Sequence, residues 1–262
     1  MKQSLLNGYI LHAKAYQEKR AIYRFFSYEH GVVHGVGVRA MPLFVPICLM
    51  ATGTRTLKSF GQLTLGFAAS FDAITAPSFT KIPKGRVQYA LLYLNEVLYK
   101  LLAIENPCPA LWQAYHNTAV KLYALDAMGL PVAEELQAMR VYLRGFERVL
   151  FAELGVAIDF INDYLAEPIC AEQWYRFVPQ MGFVPDKVSV LEGVRQNAKI
   201  SRARFAGKEI IQMADSLSDE TSVAYLDQFS QIQKQLVDFL LDYQPLHSRT
   251  LWQQSIRYLA EK

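Results

Sequence analysis

The hydrophobic period of this chain changes once, between residues 75 and 85. Before that point apolar residues recur in short runs with a period near two: Tyr9–Ala13, Ala21–Phe26, Val32–Arg39, Leu43–Met50 and Leu57–Phe67. Side chains alternate between the faces of a strand, so this spacing predicts about five strands. Beyond it, Val87, Ala90, Leu91, Leu94, Val97, Leu98, Leu101 and Leu102 recur at helical spacing. Pro77 and Pro83 lie in the connector. The expected fold is therefore α+β, with a strand-built domain over 1–80 and a mainly helical domain over 81–262. Short strands parted by glycine-containing turns mark a small barrel or sandwich. A five-stranded oligonucleotide-binding (OB) barrel fits the size and strand count.

Proline and glycine punctuate the helical part. Pro107 and Pro109 end the first helix and open a second from about Ala110 to Ala127; a third spans Ala133–Leu154. Residues 156–190 carry Pro168, Pro179 and Pro185 and form an irregular insertion, with a small hairpin expected around Trp174–Phe183. Further helices are expected over Gly207–Ser216, Ser222–Tyr243 and His247–Leu259. Ser218–Ser222 offers N-cap residues for the longest of these.

Charge follows the same division. Residues 1–86 hold eleven Lys/Arg against three acids, a net +8, and the remainder carries 16 basic and 21 acidic residues, a net −5. A basic strand domain attracts polyanions without any catalytic group. The cations concerned are Lys14, Lys19, Arg20, Arg24, Arg39, Arg55 and Lys58. A second basic stretch, Arg195, Lys199, Arg202, Arg204 and Lys208, contains no acid and can follow a phosphate backbone. Tyr16, Tyr23, Phe25, Phe26 and Tyr28 interleave with the first set, and Tyr16 and Tyr28, at strand ends, are the candidates for stacking on bases.

Other classes find little support. Ser78-Phe79-Thr80-Lys81 matches a nucleophile motif whose partner motifs are absent, and no phosphate loop or HExxH occurs. His30 and His34 fall on a turn entering a strand, where four residues span about 13 Å, too far to share a metal. Glu134 and Glu135 suit the positive end of a helix dipole. Cys48, Cys108 and Cys170 form no CxxC pair. The most apolar run, residues 41–53, contains two prolines and is too short for a membrane span. The expectation is a cytoplasmic, nucleoid-associated protein that is not an enzyme and needs no cofactor or metal.

Several stretches, in order, resemble the bacterial recombination mediator family RecO. They are Gly8–Lys14, Glu29-His30-Gly31 into Arg39, Tyr93-Leu94-Asn95-Glu96-Val97-Leu98, Phe146-Glu147 through Leu154-Gly155 to Asp159-Phe160, Phe205–Lys208, and Pro245-Leu246-His247-Ser248-Arg249-Thr250-Leu251-Trp252. The resemblance implies a DNA repair role: binding single- and double-stranded DNA, annealing strands, contacting the C-terminal tail of single-stranded DNA-binding protein (SSB), and loading RecA with the partner RecR. It places Arg144 as the clamp for the tail carboxylate, with Arg140 one turn earlier and Leu98, Leu101, Leu143 and Leu150 as apolar neighbours. Two departures stand out. Many family members have four zinc-binding cysteines where this chain has only Cys170, so residues 162–174 must be held by packing. Arg39 is followed by an apolar loop, Ala40–Phe44, in place of a basic stretch. The alternative is a helical adaptor for proteins, capped by a barrel without affinity for DNA.

Overall fold

The computed structural model describes residues 3–68, 81–186, 203–219 and 223–260. Five strands, β1 (Gln3–Gln17), β2 (Arg20–Ser27), β3 (Gly31–Val38), β4 (Ile47–Thr52) and β5 (Leu57–Leu65), close into a barrel in the order β1-β2-β3-β5-β4. Neighbours run antiparallel except β3 and β5, which are parallel. This is the architecture of the OB barrel. Six helices follow among the described residues: α1 (Arg86–Leu101), α2 (Pro109–Met128), α3 (Val132–Glu153), α4 (Gly207–Ser216), α5 (Leu226–Leu240) and α6 (His247–Ala260). A small sheet of β6 (Trp174–Val178), β7 (Gly182–Pro185) and β8 (Phe205–Ala206) completes the fold. No described helix is long and apolar enough to cross a membrane.

The chain forms two compact units, one of residues 1–146 with 245–262, the other of 147–244. In the first, the barrel interior is filled by Leu6, Ile10, Tyr23, Phe25, Val33, Ile47, Leu49 and Phe60. The Phe60 ring lies over Gly35, where a Cβ would come within 2.3 Å of it, so only glycine fits there. The Tyr23 hydroxyl donates to the Val38 carbonyl at 2.6 Å and accepts from the Met41 amide at 3.2 Å. This pins the loop after Arg39.

The outer face of β1 is buried as well, because α1 and α2 cover it. Tyr9, Trp112, Tyr115 and His116 are all within 1 % of full burial and pack edge to face or in stacks. The polar side chains of this layer are hydrogen-bonded. The Trp112 indole donates to the Phe26 carbonyl at 3.1 Å, the Tyr115 hydroxyl to Asn95 Oδ1 at 2.7 Å, and the Asn95 amide to the carbonyls of Ile10 and Leu11. Tyr9 Oη and His116 Nδ1 lie 2.6 Å apart. Such satisfied polar contacts fix one arrangement of helices on the sheet where purely apolar packing would tolerate several.

In the second unit Phe160, Phe177, Phe183, Phe205 and Phe229 are buried and form successive ring contacts. Backbone capping organises residues 159–175. Asp159 accepts from the amides of Ile161 and Asn162, Asp163 from those of Leu165 and Glu167, and the Tyr175 hydroxyl from that of Cys170. These hydrogen bonds and the phenylalanine cluster hold the insertion. Gly207 lets α4 begin against this segment, for a Cβ there would meet the Cys170 carbonyl at 1.9 Å. Among the described residues no group of three His, Cys, Asp or Glu is arranged to hold a metal.

Candidate nucleic-acid interface

Cross-strand register places the cations of the barrel. His12, Arg24 and His34 are aligned across β1, β2 and β3, with Leu57 of β5 opposite His34. One step along the strands, Lys14, Ile22, Val36 and Ser59 form the next row. A third row, at the end of the β1–β2 hairpin, holds Arg20 and Val38. Paired residues share a face. The intervening residues Tyr23, Phe25 and Val33 fill the core, so these three rows face outward, and all are exposed or half-buried.

The hairpin turn adds Lys19 and draws in Arg39. The Arg39 amide donates to the Lys19 carbonyl at 3.0 Å, and its guanidinium to the Glu18 carbonyl at 3.3 Å. Tyr16 and Val38 stand beside this group, 54 % and 65 % exposed. On the other side Arg55 sits in the β4–β5 turn at the rim of an open cleft of about 450 Å³, lined also by Val36, Thr52, Leu57 and Ser59. OB barrels take oligonucleotides between these two connections, β1–β2 and β4–β5, and across strands β2 and β3. Burial, with Arg24 alongside, holds His12 and His34 below the ordinary imidazole value. The charge of the face at neutral pH therefore comes from lysine and arginine.

Two expected contacts are engaged elsewhere. Lys58 is only 4 % exposed and its ammonium pairs with Glu105 at 2.8 Å, which holds that carboxyl below its usual range. A buried, neutralised lysine cannot meet a phosphate. Arg24 stacks over the Tyr99 ring at 4.1 Å and donates to the Tyr99 carbonyl, tethering the last turn of α1 to the barrel. Tyr28 packs edge-on against Trp112, leaving Tyr16 as the exposed ring at the hairpin. Of the second basic stretch, Arg195, Lys199 and Arg202 lie outside the described residues. Arg204 is paired with Asp186, which also binds Arg176, and Lys208 is exposed at the start of α4.

The residues expected at the SSB tail divide by burial. Leu98 and Leu150 are wholly buried and offer no side chain to a ligand, whereas Leu101, Arg140, Leu143 and Arg144 are half-buried.

No protein-family model matches the chain. It is 29% identical over 266 residues to DNA repair protein RecO of Pseudoalteromonas atlantica, covering 97% of this chain and 96% of that protein. Against DNA repair protein RecO of Tolumonas auensis it is 29% identical over 268 residues, covering 97% of each chain. Against that of Pseudomonas putida W619 it is 29% identical over 252 residues, 94% of this chain and 95% of the relative. The chain is a full-length homologue of RecO. Two of the stretches that carry its likeness to RecO touch one another. Glu96 accepts from the amides of His247 and Ser248 at 2.8 Å each and from the Ser248 hydroxyl at 2.7 Å. These donors outweigh burial and hold the carboxyl below its usual range. Glu96 thus caps α6 from a neighbouring helix. Lys100 donates to the Pro245 carbonyl, and Arg249 lies over the Tyr93 ring. Sequence reading found both RecO-like stretches but not this link, since nothing local pairs residue 96 with residue 248.

Proposed function

We propose that this protein is a DNA repair and recombination mediator. In this reading its barrel, 1–80, binds and anneals single-stranded DNA. The helical part, 81–262, contacts the C-terminal tail of SSB and, with RecR, promotes loading of RecA in the cytoplasm. The observation that carries the reading is the outward barrel face. Lys14, Lys19, Arg20 and Arg39 gather at one OB loop and Arg55 at the other, with half-buried strand residues between them. The curated relatives, each named DNA repair protein RecO, support the same role.

If the face neutralises phosphates, affinity for single strands falls with salt at a log–log slope of about −0.7 per contact. Lys19→Glu with Arg39→Glu should then lower affinity at least tenfold at low salt and flatten the slope by about 1.4. A wild-type slope near zero in the same titration would remove the DNA-binding reading. For the tail, Arg144→Ala should weaken binding of a peptide with the SSB C-terminal sequence, measured by fluorescence anisotropy, while DNA binding is unchanged. Equal peptide affinity for the variant would move the tail site elsewhere.

A further inference from the structure

Between the two basic loops runs a line of aliphatic side chains. Ile22 is directly opposite Val36, Val38 follows Val36 on the same face of β3, and Leu57 lies diagonally across on β5. Diagonal neighbours on one face are about 7–8 Å apart, so the line is continuous. Val38 is 65 % and Leu57 46 % exposed, and Val36 and Leu57 line the cleft beneath Arg55. Scattered apolar side chains on a surface need no explanation, but a contiguous strip bounded by cations suits a ligand that has both apolar faces and negative charge.

The flanking charge says what covers it. Lys19, Arg20 and Arg39 stand at one end, with the carboxylate of Glu18 nearby, and Arg55 at the other. A polyanion with apolar faces between its charges fits this order. A duplex turns its bases inward and offers the barrel only phosphates. A single strand can turn its bases onto the strip while its phosphates reach the two loops. We propose that Val36, Val38 and Leu57 form a base-holding strip that makes this face selective for single-stranded over double-stranded nucleic acid. The inference rests on the DNA-binding reading above and adds the residues that discriminate between its two substrates. Aliphatic side chains cover the base faces here, and Tyr16 supplies the exposed ring at the hairpin end.

The test compares the full chain with a Val38→Ser, Leu57→Ser variant, which removes apolar area and leaves charge unchanged. Affinities are measured for a thymine homopolymer and for a duplex of equal length, each across a salt series. Stacking or packing of a base is typically worth a factor of about ten. Single-strand affinity should therefore drop roughly tenfold with the salt slope preserved, while duplex affinity stays within about twofold. An equal loss on both substrates, or no loss on the single strand, overturns the strip. Val38→Thr alone, nearly isosteric, should give a smaller loss of the same selectivity and covers the case of a double variant that fails to fold. If the unaltered protein binds neither substrate, the DNA-binding reading itself fails; if it binds both and the variants do not discriminate, only the strip does.

Discussion

Trp112→Ala is expected to cost about 4 kcal/mol of folding stability and to leave little folded protein at 37 °C. The indole is fully buried at the place where α2 crosses the barrel, and it touches Tyr9, Tyr28, Phe67 and His116. Alanine leaves a cavity among aromatic rings that collapses poorly, because Tyr9 and His116 are held to each other by a hydrogen bond. It also removes the donor to the Phe26 carbonyl, and a buried acceptor left unpaired costs a further 1–3 kcal/mol or so. Trp112→Phe keeps most of the volume but not the donor, so it should fall between the two. Urea denaturation of the three proteins reads the order directly. A cost below about 1 kcal/mol for the alanine variant would mean that the aromatic layer does not hold α2 to the sheet.

The second large effect is a loss of stability in acid that is assigned to one residue. His116 is buried in the same layer, and burial pushes its imidazole down to about 4. In the unfolded chain it titrates near 6.5. The unfolded state therefore binds the extra proton between those values, so stability is complete above about pH 6.5 and falls as pH drops toward 4. Over that window the loss amounts to roughly 3 kcal/mol. Glu96 and Asp159, whose carboxyls are held below their usual values, add losses as acid protonates them. His116→Gln can still meet the Tyr9 hydroxyl and carries no proton, so it should lower stability at pH 7 yet flatten the decline between pH 6.5 and 4.5. An undiminished decline in the variant would place the acid sensitivity elsewhere.

The strands were legible because their apolar residues alternate, and the errors have local causes. The fourth strand was expected from Leu43, but pairing starts at Ile47, since Pro46 has no amide to give and Phe44 is left-handed with φ 67°. β1 begins at Gln3, six residues before the expected start at Tyr9, because its first stretch pairs with β4 without clear alternation. The helix expected over Ser222–Tyr243 begins at Leu226 after a left-handed Tyr225, and stops at Leu240, where left-handed Asp242 and Tyr243 turn the chain toward Pro245. Of the proposed N-cap stretch, residues 220–222 lie outside the described residues.

Within the candidate site, Arg24 and Phe26 alternate onto the outer face of β2, yet Phe26 is buried because α2 covers the end of that strand. Nothing in the sequence sets Lys58 apart from Lys19. Its burial follows from Glu105, 47 positions away in the chain, and only the closed barrel brings the two together. Long-range ion pairs of this kind carry no local signature, whereas loop cations such as Lys19 and Arg39 are exposed wherever the hairpin forms.

The cap that Glu96 places on α6 also orders events during synthesis. Domains usually fold as they leave the ribosome, earliest residues first. Here the first compact unit draws on residues 245–262, after all 98 residues of the second have been made. Until Ser248 emerges, Glu96 lacks the three donors that α6 supplies and keeps only Lys100 of its own helix, and the face of α1 that receives Trp252 at Tyr89 stays open. The nascent barrel and its first helices therefore wait in an incomplete state through the whole of that interval. A ribosome stalled before residue 245 would hold a chain with an exposed apolar helix face, the kind of surface that chaperones and proteases recognise.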